Sequence, residues 1–189
     1  MNRTTLLDII LNALDETFDS TGEIYTFFDK EGRLSLKNVK DMRVETGLIS
    51  GNTMQNYSYK TTIDSDVYNQ VKLVYGNEET GSYDVYIQKD SDSIRKWGVL
   101  QYSDAIRHPD LGKVKSEVLL RTSNRLKRTL TVEKVIGNTD IIAGCLAPVI
   151  LELQDFKITN FMMVEKVTHY IKNKEYFMDL IVSGGDFVV

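Results

Sequence analysis

The sequence predicts an α+β protein in which a small helix-plus-hairpin domain precedes an antiparallel β-barrel, and a helical excursion interrupts that barrel. Three patterns carry the prediction. Apolar residues recur at the helical period between Leu6 and Phe18, apolar and polar residues alternate from Gln70 to Lys89, and the last third of the 189 residues is a series of strand-like runs separated by turns.

The first element is an amphipathic helix. Leu6, Leu7, Ile10, Leu11, Leu14 and Phe18 fall close to a 3.6-residue period, and Thr5 with Asp8 three positions on is a capping-box signature. Gly22 suits the left-handed conformation that ends a helix. Ile24 to Phe28 and Arg33 to Asn38 then read as two strands around Asp29-Lys30-Glu31-Gly32, a hairpin with a glycine available for positive φ. Helix, hairpin and a less regular continuation define an expected domain over residues 1–65.

From Gln70 the pattern changes. Val71, Leu73 and Tyr75 line one face, and after the turn from Gly76 to Gly81 the residues Tyr83, Val85 and Ile87 repeat the alternation. Asp90-Ser91-Asp92-Ser93 breaks it, Trp97-Gly98 acts as a stop, and Leu111 to Leu126 reads as a helix with Leu111, Val114, Val118 and Leu119 on one side. Glu117 stands four residues ahead of Arg121 there, a favourable helical pair. Arg128 to Val135, Pro148 to Leu153, Phe161 to Ile171 and Tyr176 to Val182 supply four more strands, with Lys172-Asn173-Lys174-Glu175 turning the final pair. With the earlier hairpin these make about six strands, enough for a small barrel that removes its own edges. Residues 66–90 and 127–189 are thus expected to form one discontinuous barrel, and residues 91–126 the excursion between its strands.

The C-terminal strands are apolar on both faces. Tyr176, Met178, Leu180 and Val182 make one row against Phe177 and Ile181; Met163, Val167 and Ile171 oppose Met162, Val164 and Tyr170. A free-standing barrel needs only its inner row apolar, so the outer row must meet either the chain's own helices or another subunit.

Composition bounds the class. Hydrophobic residues at 42% and charged residues at 26% are ordinary globular values, which argues against disordered, fibrous or membrane proteins. A net charge of −4 with 23 dispersed Lys and Arg residues lacks the footprint of a nucleic-acid binder. The single cysteine, Cys145, excludes an intrachain disulfide and any cysteine-based zinc cluster, and its small apolar flanks predict a buried residue rather than a reactive thiol. The N-terminal segment has neither a cleavage site nor a span of about 20 apolar residues, so neither export nor membrane insertion is expected.

No catalytic, metal or cofactor motif is found. Gly76 and Gly81 have the spacing of a phosphate loop, but Ser82 and Tyr83 stand where Lys and Ser or Thr are required. Asp90 and Asp92 begin like a calcium loop, yet the sixth position is Arg95, so turn and helix-capping roles are expected. His108 precedes Pro109 in a loop, and His169 lies inside a strand, where a structural hydrogen bond is the expected role. Ser183 before Gly184-Gly185 is no nucleophile elbow, since Ile181 fills the place of the required first glycine. Arg121, Arg125, Lys127 and Arg128 form one basic patch. It has no interleaved aromatics to stack bases, and cations near a helix C-terminus complement its dipole.

Phrases along nearly the whole chain resemble one family: Asn12-Ala13-Leu14-Asp15-Glu16-Thr17, Leu34-Ser35-Leu36-Lys37-Asn38, Tyr68-Asn69-Gln70-Val71-Lys72-Leu73, Lys96-Trp97-Gly98-Val99-Leu100-Gln101-Tyr102 and Gly184-Gly185-Asp186-Phe187. They are similar to the PBSX-like (XkdQ/YqbQ) baseplate hub proteins of contractile phage tails and phage-tail-like bacteriocins. The resemblance implies a tail-tube-like β-barrel, a trimer that adapts the sixfold tail tube to the threefold spike, and neighbours among tube, spike and baseplate proteins. It implies no active-site residue, no cofactor, no specific nucleic acid and a place in the tail particle. Family members are longer, so the chain resembles their C-terminal part, as a fragment or a shortened homologue. One departure is Leu153-Gln154-Asp155-Phe156, where the family tends to carry a glycine. The rival reading is a carbohydrate- or peptidoglycan-binding module, suggested by the β-rich C-terminus and by one Trp, ten Tyr and seven Phe.

Overall fold

A computed structural model describes residues 5–45, 49–50, 53–77, 81–152 and 157–184. The elements begin with α1 (Leu6–Thr21), β1 (Tyr25–Lys30), β2 (Arg33–Asn38), β3 (Ile49–Ser50), β4 (Asn56–Thr62), β5 (Gln70–Gly76) and β6 (Tyr83–Lys89). They continue with α2 (Ser91–Trp97), β7 (Gln101–Ala105), α3 (Gly112–Ser123), β8 (Lys127–Ile136), β9 (Leu146–Glu152), β10 (Lys157–Lys172) and β11 (Glu175–Ser183). These divide into two interleaved units: residues 1–24 with 63–126, a layered unit, and residues 25–62 with 127–189, a curled unit.

In the layered unit α1 forms where its caps predict. The Asp8 amide donates to the Thr5 hydroxyl at 3.2 Å and the Thr5 amide donates to the Asp8 carboxylate at 2.8 Å. The Thr5 hydroxyl and amide hold the Asp8 carboxyl below its ordinary value. At the other end Gly22 is left-handed, with φ 76°, and Arg121 donates to the Thr21 carbonyl at 3.0 Å. α1 packs on α3, and α3 on β5 and β6, whose Val71 and Leu73 are completely buried. A side chain at Gly112, the first residue of α3, would meet the Tyr86 ring 2.5 Å away, so glycine lets the helix come down on the sheet.

The sheet beneath α3 has the order β6-β5-β7. β5 and β6 are the expected antiparallel hairpin, in register from Gln70↔Lys89 to Gly76↔Tyr83, and β7 lies parallel to β5 with Gln70↔Gln101. This corrects which strands the predicted barrel takes. Both sides of β5 are occupied, one by β6 and one by β7, and among the described residues the edge strand β6 pairs with β5 alone. Alternation stops at Lys89 because α2 begins there and returns the chain for a parallel pairing, which requires a crossover. The predicted excursion, residues 91–126, therefore belongs with the hairpin and with α1.

The predicted 1–65 domain is corrected as well, because α1 goes to the layered unit and the β1–β2 hairpin to the curled one. The hairpin itself forms as expected, from Tyr25↔Asn38 to Lys30↔Arg33. Its anchor explains the division. Phe28 packs on the core of the curled unit, and Thr26 lies against Gly144, whose φ of 87° and lack of a side chain permit the approach.

The curled unit is a six-stranded sheet of order β3-β9-β10-β11-β8-β4, antiparallel except for β3 with β9. The predicted count of six holds, with β3 and β4 in the places expected for β5 and β6. Because β3 and β4 do not pair among the described residues, the sheet is a curled half-barrel. Its core gathers Leu130, Val132, Val135, Val149, Leu151, Met162, Val164, Met178, Leu180 and Val182. Asn173 and Lys174 turn β10 into β11 with φ of 53° and 66°, the left-handed pair of a two-residue hairpin loop.

Two bulges curl the sheet. The register of β10 against β11 shifts between Val164 and Lys166, and that of β11 against β8 between Met178 and Leu180. The second is fastened by the Lys134 amide, with φ 56°, donating to Asp179 at 2.8 Å. An extra residue reverses which side chains face inward. Met162 and Val164 are buried before Glu165, and Val167 packs on the same core after it, so Met163 does not share a row with Val167 as the unbroken alternation predicted. The 153–156 connection lies outside the described residues, as do 185–187 of the closing phrase.

Candidate functional site

Of the residues singled out in the sequence, His169, Ser183, Cys145 and Asp90 hold structural places, whereas His108 lines a cleft of the layered unit. His169 Nε2 lies 2.9 Å from the Ile141 carbonyl and Nδ1 lies 2.8 Å from the Tyr176 hydroxyl. A carbonyl only accepts, so Nε2 donates to Ile141, and Nδ1 shares the second hydrogen bond with the Tyr176 hydroxyl. His108 belongs to the other unit, flanking a short 3₁₀ turn at Pro109–Leu111. Ser183 is buried in the β11 ladder, between Thr129 and Met163. Cys145 is 1% exposed, and burial pushes its thiol up, away from the reactive thiolate.

Asp90 is a helix cap. One carboxylate oxygen accepts from the Asp92 amide at 2.9 Å and the other from the Asn124 side chain at 2.6 Å. The Asp92 amide, then Asn124, hold the carboxyl below its usual range. Both oxygens are engaged, and among the described residues no group of three or more His, Cys, Asp or Glu is placed to hold a metal. The Gly76-to-Gly81 segment is a hairpin connection, with the Asn77 amide donating to the Ser82 carbonyl at 2.9 Å; its residues 78–80 lie outside the described ones. The basic patch divides: Arg121 and Arg125 belong to the layered unit, Lys127 and Arg128 to the curled one.

The residue that sequence reasoning missed is Asn69. It is completely buried. Its side-chain amide donates to the Gly98 carbonyl at 2.7 Å and its side-chain oxygen accepts from the Leu100 amide at 2.8 Å. Its backbone amide donates to the Leu100 carbonyl at 2.9 Å, and its own carbonyl accepts from the Asp90 amide at 2.9 Å. The phrases around Asn69 and around Trp97-Gly98 are thus one physical feature, the clamp that starts β5 and β7 side by side. An asparagine directly before an alternating run was the available signal.

What remains are surfaces. The side of the β6-β5-β7 sheet away from α3 carries Lys72 and Val74 on β5, Tyr83, Val85, Ile87 and Lys89 on β6, and Ser103 and Ala105 on β7. Tyr83, Val85 and Ile87 are 73%, 49% and 52% exposed. In the curled unit Tyr170, Phe177 and Ile181 point away from the core and are half-buried, with the Lys134 ammonium 5.3 Å above the Phe177 ring. Among the described residues this unit contains no α-helix. A cleft of about 360 Å³ in the layered unit is crossed by an ion pair of its own, Lys115 to Asp19 at 2.8 Å. No helix described is long and apolar enough to cross a membrane.

The fold defined by these elements is that of phage tail proteins. The 43 kDa tail protein of prophage MuSo2 from Shewanella oneidensis superposes with a TM-score of 0.63 over 94% of this chain and 53% of its own, at 10% identity. The prophage tail protein gp18 of Listeria monocytogenes EGD-e gives 0.52 over 94% and 53%, at 12% identity. In sequence, residues 1–183 match the family described as YQBQ-like, and the chain belongs to that family. It is 26% identical to the phage-like element PBSX protein XkdQ of Bacillus subtilis (strain 168) over 96% of this chain and 55% of that protein. It is 28% identical to YqbQ of the same organism over 95% and 54%. The chain therefore spans about half the length of the curated relatives it matches.

Proposed function

We propose that the chain is a structural, non-enzymatic component of the baseplate hub of a contractile phage tail or phage-tail-like particle, working as a trimer that adapts the sixfold tube to the threefold spike. The observation that carries the reading is family membership across residues 1–183, supported by the curled sheet of the fold. The half-buried outward row of Phe177 and Ile181, in a unit whose described residues include no α-helix, supplies a surface suited to a neighbouring subunit or tail protein. No observation favours a sugar-binding platform. The most exposed aromatics among the described residues, Tyr57 and Tyr83, belong to different units.

The test is made in the full-length protein. Phe177→Asp and Ile181→Asp are expected to lower oligomer mass in sedimentation while leaving the melting temperature within about 2 °C, the shift below which a stability change is under ~1 kcal/mol for a chain of this size. A fall in melting temperature with assembly intact would place that row inside the fold. A wild-type protein absent from tail particles would defeat the hub reading.

A further inference from the structure

We propose that the bare face of the β6-β5-β7 sheet docks the N-terminal half of α1 from a second copy of this chain, in a head-to-tail contact. The sheet supplies the receiving surface. Helix α3 covers Val71 and Leu73 on one side, and the opposite side presents Tyr83, Val85 and Ile87 on an edge strand. A sheet buried on one face is ordinary, but its solvent face is then polar, whereas this one carries an apolar row at strand spacing.

Helix α1 supplies the surface that docks. Its stripe Ile10, Leu14 and Phe18 is half-buried, yet Leu6, Leu7 and Leu11, which extend the stripe toward the N-terminus, are 72%, 52% and 47% exposed. Leu7, Leu11 and Asp15 follow one another at four-residue steps along the edge of that stripe, with Asp8 beside them. An apolar helical ridge and an apolar sheet face are the two surfaces that pack in α/β layers.

Charge distinguishes this occupant from others. α1 carries Asp8, Asp15, Glu16 and Asp19 and not one Lys or Arg. The bare face carries Lys72 and Lys89 and, across its strand positions, no carboxylate. An acidic-edged apolar helix therefore meets an apolar face bordered by lysines. Because α3 holds the other side of the sheet, one copy cannot lay its own α1 on its own bare face without dismantling the unit. The contact is heterologous, the kind that closes into a ring when the rotation permits. Its few side chains fall well short of the roughly 20–30 residues a side of a self-sufficient interface. It therefore forms where copies are already gathered, which is how the inference rests on the reading of the chain as a tail component.

Cross-linking tests it. Full-length Leu7→Cys and Val85→Cys proteins, mixed at high concentration and oxidised with copper, are expected to give at least fivefold more disulfide-linked dimer than either variant alone; Cys145 is buried and supplies no background. Adding Lys89→Glu to the Val85→Cys chain should cut the yield several-fold, and adding Asp15→Lys to its mate should restore it. A mixture that gives no more dimer than the single variants overturns the contact, as does a yield indifferent to both charge changes. Val85→Asp distinguishes the two proposals in particles: normal incorporation of that variant refutes the contact while the tail reading stands, and the tail reading falls only if wild type is itself absent.

Discussion

The two units solve the same problem with the same alternating code and opposite means. In the layered unit a short three-stranded sheet hides one face beneath α3, and Leu73 is buried by a helix. In the curled unit no helix is needed, because bulges at Glu165 and at Glu133–Lys134 bend β10 and β8 until one sheet provides most of its own core, Leu180 at its centre. A strand's pattern thus says that one face is buried, and the neighbouring elements decide what buries it.

Removing the same side chain from each unit tests this division most strongly. Leu180→Ala and Leu73→Ala should each cost about 2–5 kcal/mol, since both residues are fully buried. The chain has a single tryptophan, Trp97 at the end of α2, so its fluorescence reports the layered unit alone. Leu73→Ala should shift the fluorescence melt, whereas Leu180→Ala should speed amide exchange in β8, β10 and β11 and leave fluorescence unmoved. Coincident shifts in both probes for both variants would break the distinction.

Next in size is the clamp. Asn69→Ala leaves the Gly98 carbonyl and the Leu100 amide without their partner and should destabilise by about 2–4 kcal/mol, read in urea melts by fluorescence. Amide exchange should rise in β7 before β6, because the Asn69 side chain bonds only Gly98 and Leu100 at the entry to β7, while its link to Asp90 at the end of β6 is a backbone bond that alanine keeps. Equal loosening of β6 and β7 would show that the clamp holds the whole sheet rather than one pairing.

The smallest effect is at the Asp90 cap. Its carboxyl lies below its ordinary value of 3.8 when folded, so its contribution is complete above that pH and is lost as the pH falls through the lower folded value. Asp90→Ala should lower the fluorescence melt by about 2–4 °C at neutral pH. That difference from wild type should shrink toward zero in strong acid. A difference that stays constant across this range would remove the carboxylate from the account.

Much of the local structure was legible in the sequence, because its signals are local. Thr5, Asp8 and Gly22 bound α1; Gly98 ends α2; Asn173 and Lys174 turn the last hairpin. Four strands of the large sheet, β8 to β11, were legible, whereas β3 and β4 were not, and the hairpin counted in their place belongs to the other sheet. β5 and β6 alternate just as β8 does, and nothing in one strand's pattern names its neighbour. β7, Gln101 to Ala105, is too polar to announce itself, yet by taking the second side of β5 it excludes that strand from the barrel. The extra residue at Glu165 was equally silent, and it moved Met163 out of the row drawn for it. Among the chemical candidates, the structural roles of His169 and Asp90 were legible from context, whereas the burial of Asn69 depends on Gly98 and Leu100, some thirty residues away.

The interleaving of the two units has a consequence for inheritance. Residues 1–24 are completed by 63–126, and 25–62 by 127–189. Between residue 1 and the end of β11, no single breakpoint in the gene leaves both units whole. A recombination that imports a new partner-binding surface into either unit must therefore carry two separate segments or replace the pair together. A single crossover within this span thus never exchanges one whole unit by itself.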